Sequence, residues 1–361
     1  MDVREFDFDL PTELIAQEPA ARRGAARLLH LDRRTGGVSH GTVDNLPQSL
    51  HDGDLLVVNN TRVFPARLLG RRVPSGGAVE CLLIGQVDQA GRVGQDGHDG
   101  QDWQALMHPG QKLRPGARVV FEGVRTQHIL HGEILERRFH GRRVIRLWTE
   151  DGGPVEDAIE AIGHVPLPPY IKRDDRLDDR ERYQTVFARE RGSVAAPTAG
   201  LHFNASLNAA LAARGVEIVE ITLHVGYGTF QPVRVDRVED HRLEPEQYEI
   251  AEPAAHAINR AADERRRIVA VGTTTTRTLE AAAARHGGRV AAEAGATDLF
   301  IFPGFRFLIV QGLLTNFHLP RSSLLMLVSA FAGLQHVMDA YAAAIAGGYR
   351  FYSYGDAMLV T

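Results

Sequence analysis

Two histidines of this 361-residue chain stand in loops that lead into predicted helices, where they could transfer protons. His202 follows small residues in Ser193–Phe203. His318 lies near Asn316 in Leu314–Pro320. An imidazole titrates near neutral pH and can act as a general acid or base, and the N–H groups of a helix N-terminus suit an anionic ligand. The alternative for both is a structural histidine that caps a helix or packs with its hydrogen bonds satisfied.

Alternate glycines end a predicted strand in the segment Thr222–Phe230. Gly226 and Gly228 lack side chains, so a ligand could approach the backbone closely there. The spacing begins like a dinucleotide-binding fingerprint, but neither a third glycine nor a suitable helix follows. A β-bulge or a hairpin turn would explain the same glycine pair.

A run of threonines joins a predicted strand to a predicted helix in Val271–Arg277. Open α/β sheets bind ligands at the carboxyl ends of their strands, so these hydroxyls and backbone amides could face a ligand. The segment is not a P-loop, because the glycine spacing and the lysine are missing. Simple capping of the helix by threonine is the alternative.

Aromatic residues are concentrated near the C-terminus, in Tyr349–Asp356. Their faces could stack against a nucleic-acid base. A half-buried strand produces the same pattern and is the favoured interpretation of this segment taken alone.

The overall charge is not that of a general nucleic-acid binder, because the formal net charge is −4. Arginines nevertheless cluster locally. They form either solvated surface faces or a surface that contacts phosphate, which a guanidinium binds in a bidentate way. The clusters comprise Arg22, Arg23 and Arg27, then Arg71 and Arg72, Arg137 and Arg138, and Arg142 and Arg143.

The single cysteine, Cys81, excludes an intrachain disulfide and a cysteine-based zinc site. It lies in an apolar run and is expected to be a buried strand residue. No His-Glu-x-x-His or comparable spacing occurs, so no metal is predicted. The N-terminal residues lack a signal-peptide pattern and no apolar stretch is long enough to span a bilayer, which predicts a cytoplasmic protein.

Two kinds of pattern divide the chain. Short strands separated by Gly and Pro turns predict a small β-barrel or sandwich inserted at residues 64–152. Strands that alternate with helices after Val155 predict a layered α/β catalytic domain built from residues 1–63 and 153–361. The predicted fold class is therefore α/β with an inserted β-barrel domain. Within the insert, the Gly-, Gln- and Asp-rich segment Gly85–Asp102 predicts a long flexible loop.

Capping signals and hydrophobic patterns predict the individual elements. A helix is expected over Asn204–Arg214, with Asn204 as the N-cap and Gly215 after its end. The other predicted elements are the strands Asp54–Val58, Val216–Val225, Arg267–Val271, Leu299–Phe302 and Phe307–Val310, and the helices Ala254–Arg266, Thr276–His286, Arg321–Leu334 and Val337–Ala346.

Taken together, these segments resemble the S-adenosylmethionine:tRNA ribosyltransferase-isomerase family of queuosine biosynthesis. The resemblance covers both ends of the chain and is weakest between Arg71 and Val155. The matching segments are Phe6–Pro11, Asn60–Arg67, Pro168–Ile171, Tyr183–Ala188, Ser193–Phe203, Thr222–Phe230, Gly272–Glu280, Phe302–Gly304, Thr315–Pro320 and Tyr349–Asp356.

The resemblance implies a transferase that acts on tRNA in the cytoplasm, as a monomer and without a membrane. Such an enzyme moves the ribosyl part of S-adenosylmethionine, isomerised to an epoxycyclopentane, onto the aminomethyl group of the 7-deazaguanine base preQ1 at the wobble position. Adenine and methionine leave, and the product is epoxyqueuosine-tRNA. S-adenosylmethionine is consumed as a substrate, so no cofactor is expected. The family fold is likewise an α/β domain that carries an inserted β-barrel.

The resemblance also implies a set of site residues. His202 and His318 are the candidates for proton transfer, with Asn316 and Asp356 as orienting groups. The expected tRNA contacts are Arg62 and Arg67, and the expected substrate-binding residues are Thr198, Gly200, His224, Gly226, Gly228, Thr229, Phe230, His241, Glu246, Gly272, Thr273, Thr274 and Arg277.

The chain departs from the family pattern in three places. Family members typically carry His-x-Met-His-x-Glu where this chain has His241 to Glu246, with Glu244 in place of the second histidine. Gln311 stands where an acidic residue is common, and Gly85–Asp102 resembles a local insertion. Two other functions remain open: an S-adenosylmethionine-dependent RNA methyltransferase, and a non-catalytic tRNA-binding module with a degenerate site.

Overall fold

The structure, a computed structural model, describes residues 1–87, 100–123, 127–230 and 232–361, and the side chains of all of these except His140 and Phe230. The chain divides into two compact units. The α/β unit comprises Met1–Arg62, Pro168–Arg173 and Arg182–Thr361, and the barrel unit comprises Val63–Leu167 and Asp174–Glu181.

The strands follow one another along the chain in groups that match the two units. They are β1 (Arg27–Leu31), β2 (Val38–Thr42), β3 (Leu55–Asn59), β4 (Thr61–Val63), β5 (Arg67–Val73), β6 (Ala78–Gln86), β7 (Gln101–His108), β8 (Arg118–Glu122), β9 (Ile129–Arg137), β10 (Arg142–Thr149), β11 (Glu190–Ser193), β12 (Glu217–Leu223), β13 (Glu246–Ile250), β14 (Ile268–Val271), β15 (Glu293–Thr297), β16 (Gly312–Asn316) and β17 (Ala357–Val360).

A nine-stranded sheet forms the α/β unit, in the order β15-β13-β12-β3-β14-β16-β17-β1-β2. Its centre, from β12 to β16, is parallel. Side chains alternate between the faces of a strand, so Leu55 and Val57 of β3 enter one hydrophobic core while Leu56 and Val58 enter another. This is the burial expected of a parallel strand that is covered on both faces.

Helices cover both faces of this sheet. They are α1 (Leu46–Ser49), α4 (Ala205–Ala213), α5 (Glu252–Asp263), α6 (Thr273–Arg285), α7 (Ser323–Ala332) and α8 (Leu334–Ala346). Helix α2 (Val155–Ile162) belongs to the barrel unit instead, and α3 (Asp179–Arg182) lies where the chain passes from the barrel unit back to the α/β unit. Helices α5 to α8 pack into the core that contains Leu55, and α1 and α4 pack into the core that contains Leu56. The predicted fold class, a layered α/β domain with a β-barrel, is confirmed.

Six antiparallel strands close the barrel, in the order β10-β7-β6-β5-β8-β9. Cys81 in β6 is buried as predicted, and desolvation raises the pKa of its thiol. The predicted flexible loop Gly85–Asp102 begins too early and ends too late, because β6 includes Gly85 and β7 includes Asp102. Residues 88–99 of that prediction lie outside the described residues.

The barrel unit also extends past the predicted boundary at residue 152. The reason is visible in the contacts of the segment that follows β10. Gln101 of the barrel donates a hydrogen bond to Glu156 of α2 at 2.5 Å, and Arg67 of β5 forms an isolated β-bridge with His164.

Several predicted elements agree with the structure and two strands do not. The N-cap of α4 is confirmed, because the Asn204 side chain accepts a hydrogen bond from the Leu207 N–H at 2.8 Å. The strand predictions for Leu299–Phe302 and Phe307–Val310 are wrong. In the second segment the backbone N–H groups of residues 308–310 donate to the buried carboxylate of Glu280, so a side chain replaces the expected strand partner.

The aromatic segment Tyr349–Asp356 is a turn, so its interpretation as a half-buried strand is wrong. Tyr352 has a positive φ of 74°, and the Gly355 N–H donates to its carbonyl at 2.8 Å. Regular strand pairing begins only after this turn, at β17, which pairs with β1 and β16. Strands β1 and β2, which lie together at one end of the sheet, and strands β13, β15 and β17 were not predicted.

Among the described residues, no single helix is long and apolar enough to cross a membrane. Helices α7 and α8 taken together have sufficient length and apolar composition, but they are bent by 114° where they meet.

Candidate active site

A cavity of about 340 Å³ opens in the α/β unit where β14 and β16 end. Both strands belong to the parallel centre of the sheet, and the carboxyl edge of such a sheet is where open α/β folds bind ligands. The cavity is lined by residues from all five segments singled out in the sequence, including Thr198, Thr229, Gly272, Thr273, Thr274, Asn316, His318 and Tyr352.

The first turn of α6 forms one wall of the cavity. Gly272 precedes the helix with φ 93° and ψ 152°, a conformation that side-chain-bearing residues rarely adopt, and the helix has no side-chain cap. The hydroxyls of Thr275 and Thr276 bond back to carbonyls four residues earlier, at 2.7 and 3.1 Å. Thr273 and Thr274 line the cavity instead. The positive end of the helix dipole and two threonines are therefore presented to a ligand.

Asn316, the last residue of β16, has one half of its amide engaged and the other available. Its Nδ2 donates to the Tyr352 carbonyl at 3.0 Å and lies 3.3 Å from His202 Nε2. Its Oδ1 is buried and has no hydrogen-bond partner among the described residues. An unsatisfied buried acceptor is costly, so a ligand donor in the cavity would stabilise this arrangement.

His318 is held rigidly at the same wall. Its Nε2 lies 2.8 Å from the Thr315 hydroxyl, and its backbone N–H donates to the Tyr341 hydroxyl at 2.9 Å. Burial lowers the pKa of His318 to about 3. The ring is therefore neutral at physiological pH, with one nitrogen able to accept a proton.

His202 lies behind Asn316 and lines a separate cavity of about 30 Å³. Burial, and then the nearby cations Arg350 and Arg23, lower its pKa to about 4. It does not line the larger cavity, and its contact with the Asn316 amide connects it to the wall of that cavity. The structure thus places His202 as a neutral partner of Asn316.

Two tyrosines from distant parts of the chain form an aromatic wall. The rings of Tyr170 and Tyr352 lie 4.1 Å apart between centroids and are inclined by 31°. Tyr170 shares a hydrogen bond of 2.5 Å with the Ser353 hydroxyl. Burial raises the pKa of Tyr352, whose hydroxyl has no partner among the described residues. Tyr352 also has a positive φ of 74°. This backbone conformation costs a non-glycine residue about 1–3 kcal/mol, and such strain is common at binding sites.

Arg277 and Glu246 do not line the cavity but form a buried ion pair. Arg277 Nη1 donates to Glu246 Oε2 at 2.7 Å, and the side chains are only 5% and 7% exposed. Glu246 Oε1 accepts hydrogen bonds from the Gly226 N–H at 2.9 Å and from the Thr229 hydroxyl at 3.3 Å. The pair therefore fixes the glycine segment that carries Thr229 to the cavity.

Gly200 and His224 are also held by contacts within the protein. A Cβ atom on Gly200 would lie 2.8 Å from the Thr185 side chain, so close packing explains this glycine. His224 Nδ1 lies 2.8 Å from the Thr61 hydroxyl. Neither residue lines the cavity.

Asp356 and His241 lie outside the cavity lining as well. The Asp356 carboxylate accepts hydrogen bonds from the backbone N–H groups of Arg27 at 2.9 Å and Arg350 at 2.8 Å. It thereby anchors the aromatic turn. The His241 ring packs edge-on against Phe300, with centroids 5.0 Å apart.

The remaining expected residues are distributed over both units. Gly228 and the backbone of Phe230 belong to the turn that contains Thr229. Arg62 is exposed in β4. Arg67 of the barrel unit donates a hydrogen bond to Glu80 at 2.8 Å, so its guanidinium is paired with a carboxylate of the same unit.

Several lining residues were not among the predicted site residues, and those with a polar or aromatic side chain are Tyr170, Lys172, Thr315, Phe317, Ser322, Tyr352 and Ser353. Tyr170 and Ser353 lie in segments that matched the family, which was the available signal. Lys172 places a cation in the lining, and its Nζ donates to the Pro169 carbonyl at 2.8 Å. Within the described ranges, no group of three or more His, Cys, Asp or Glu side chains could hold a metal ion.

These features define a two-unit α/β protein with a small-molecule cavity at the ends of its parallel strands. The model of a family described as "Queuosine biosynthesis protein" matches residues 3–360 of the chain. The chain belongs to this family, which confirms the resemblance inferred from its motifs.

Proteins similar to this chain match it over all or nearly all of its length. The chain is 47% identical to an S-adenosylmethionine:tRNA ribosyltransferase-isomerase of Desulfitobacterium hafniense and 49% identical to one of Heliobacterium modesticaldum, with 100% of each chain covered. The crystal structure of S-adenosylmethionine tRNA ribosyltransferase from Thermotoga maritima is 35% identical, with a TM-score of 0.53 over 99% of this chain and 100% of that one.

Proposed function

We propose that this protein is an S-adenosylmethionine:tRNA ribosyltransferase-isomerase. It transfers and isomerises the ribosyl moiety of S-adenosylmethionine onto preQ1 at the wobble position of tRNA, and releases adenine and methionine. The observation that carries this proposal is the full-length match to relatives with that activity in their names. The protein acts in the cytoplasm as a monomer, and consumes S-adenosylmethionine as its substrate.

The composition of the cavity supports a nucleoside with charged ends. Its volume, about 340 Å³, lies within the usual range for small-ligand sites. The aromatic wall of Tyr170 and Tyr352 suits a flat purine, and the unsatisfied Asn316 Oδ1 suits an amine or hydroxyl donor. Lys172 suits the methionyl carboxylate.

The chemistry requires a base, an electrostatic partner for departing adenine and a fixed position for the attacking amine. His318 lines the cavity and is neutral at physiological pH, so it is the candidate base for the acidified proton next to the sulfonium, although burial makes the free ring a weak base by lowering its pKa to about 3. The Thr315 hydroxyl holds the His318 ring in place by a hydrogen bond, and Asn316 orients the nucleoside. The α6 N-terminus, with Thr273 and Thr274, supplies donors toward developing negative charge.

The decisive experiment incubates the protein with S-adenosylmethionine and preQ1-containing tRNA and measures adenine by chromatography. Adenine and methionine should appear in equal amounts. Release of S-adenosylhomocysteine instead would identify an RNA methyltransferase. Binding of the tRNA with no product would identify a non-catalytic module, and either result would reject the proposal.

His318→Ala tests the proton-transfer role in the same assay. Turnover should fall by about 10²–10⁴-fold, the usual contribution of a general base. His256→Ala is the matched control, because its ring is 74% exposed in α5. Near-normal turnover of a folded His318→Ala protein would remove His318 from the catalytic residues.

A further inference from the structure

The hairpin between β9 and β10 presents an exposed aromatic ring at its tip. The turn Phe139–Gly141 joins the two strands. Phe139 is 89% exposed, more than any other large hydrophobic side chain in the described part of the chain. Removing a phenyl ring from water is favourable. A partner that covers Phe139 would therefore gain binding free energy from this contact.

Cations flank this ring on the hairpin itself. Arg137, the last residue of β9, is exposed and forms no ion pair within the described ranges. Arg138 is 38% exposed and donates to Glu136 at 3.0 and 3.1 Å. The carboxylate of Glu136 therefore offsets one of the two charges.

A second group of cations is held beside the hairpin by Arg143. Its side chain is 1% exposed and donates to the carbonyls of Leu113 at 2.9 Å and Gly110 at 2.6 Å. Lys112 and Arg114, on either side of Leu113, are exposed, and neither forms an ion pair among the described residues. The buried guanidinium thus fixes this loop against the start of β10 and adds a positive charge of its own.

These contacts define a Phe139 surface that consists of Lys112, Arg114, Arg137, Arg138 and Phe139. It carries four cationic side chains, of which Arg138 is paired with Glu136, in a chain whose formal net charge is −4. The local excess of positive charge matches a polyanion. The flat, exposed ring among arginines is the arrangement that binds unpaired bases by stacking while cations contact the adjoining phosphates.

We propose that the Phe139 surface binds a single-stranded part of the RNA substrate, with one base stacked on Phe139 and phosphates on the surrounding cations. This inference rests on the proposed function for the identity of the RNA. RNA accounts for both the ring and the charges, whereas an acidic protein segment accounts for the charges alone.

The test measures binding of a fluorescein-labelled tRNA transcript by anisotropy at several salt concentrations. Phe139→Ala should weaken binding about 5- to 150-fold, the range for loss of one stacked base. Arg137→Ala should reduce the slope of log K against log salt by about 0.7–0.9, the value for one phosphate contact. Because both side chains are exposed, thermal unfolding of the variants should match the parent protein.

Matched controls separate this surface from general effects of charge and hydrophobicity. Leu177→Ala removes a side chain that is 67% exposed in the same unit. Arg34→Ala removes an arginine that is 85% exposed in the α/β unit. Both controls should bind the transcript like the parent protein.

The outcomes distinguish this inference from the proposed function. Unchanged affinity and salt slope in Phe139→Ala and Arg137→Ala would overturn the inference, even if the parent protein released adenine. Weakened binding by these variants, with no adenine released by the parent, would support the inference and reject the proposed reaction. If Phe139→Ala instead abolished a dimer in sedimentation and bound the transcript normally, the ring would contact a second copy of the chain and the inference would be wrong.

Discussion

Burial of His318 should make the stability of the α/β unit depend on pH. The folded-state pKa of this ring is lowered to about 3, whereas a histidine in an unfolded chain has a pKa of about 6.5. Above pH 6.5 the ring is neutral in both states and contributes no pH dependence. As the pH falls from 6.5 toward 3, only the unfolded chain binds the proton, so folding becomes progressively less favourable.

The magnitude follows from the difference between the two pKa values. Each pH unit between them changes the free energy of unfolding by about 1.4 kcal/mol, so lowering the pH from 7 to 5 should cost about 2 kcal/mol through His318 alone. His202, whose pKa is lowered to about 4, acts in the same direction. Its contribution over that interval is also about 2 kcal/mol.

Urea unfolding followed by far-ultraviolet circular dichroism at pH 7 and pH 5 measures this effect. His318→Gln retains an amide that can bond to Thr315 but has no proton to gain. Relative to the parent, it should lose about 2 kcal/mol less on acidification. His256→Gln, which replaces an exposed ring in α5, should behave like the parent protein. Equal losses for His318→Gln and the parent would refute the reasoning.

Three further substitutions test the packing around the cavity. Arg277→Met should reduce stability by about 3–5 kcal/mol because Glu246 is left buried and unpaired, and adding Glu246→Leu should recover part of that loss in the same urea titration. Glu280→Ala leaves three backbone N–H groups of residues 308–310 without their acceptor; it should destabilise the protein by at least about 3 kcal/mol, and Glu280→Gln, which keeps one oxygen, should cost less. Gly272→Ala forces a side chain into a conformation with φ 93°; a stability loss below about 1 kcal/mol in thermal unfolding would contradict the assigned strain.

Local sequence rules determined many elements of the fold. Asn204 caps α4 because its short side chain reaches the Leu207 N–H, a contact within one turn. Continuous apolar residues in β3 identified a strand buried on both faces. Short strands separated by Gly and Pro turns indicated a small β-barrel or sandwich, and the structure shows a barrel. In each case the deciding interaction is encoded within a few residues.

The predictions that proved wrong concern segments whose hydrogen-bond partner is a residue distant in the sequence. The segment Phe307–Val310 has the composition of a strand, but the carboxylate of Glu280 takes its N–H groups. The turn at Tyr352 depends on Phe317, whose carbonyl accepts the Tyr352 N–H at 3.1 Å. No local pattern in either segment indicates these contacts.

The same division applies to the candidate site. The sequence by itself identified the segments that line the cavity, because motifs such as the threonine run carry their chemistry locally. Only the tertiary structure showed that Tyr170 stacks on Tyr352 and that Glu246 neutralises Arg277. It also decided that His202 and His318 are neutral, because a pKa depends on how much water the surrounding fold excludes, and burial of a side chain is a property of the whole packed molecule.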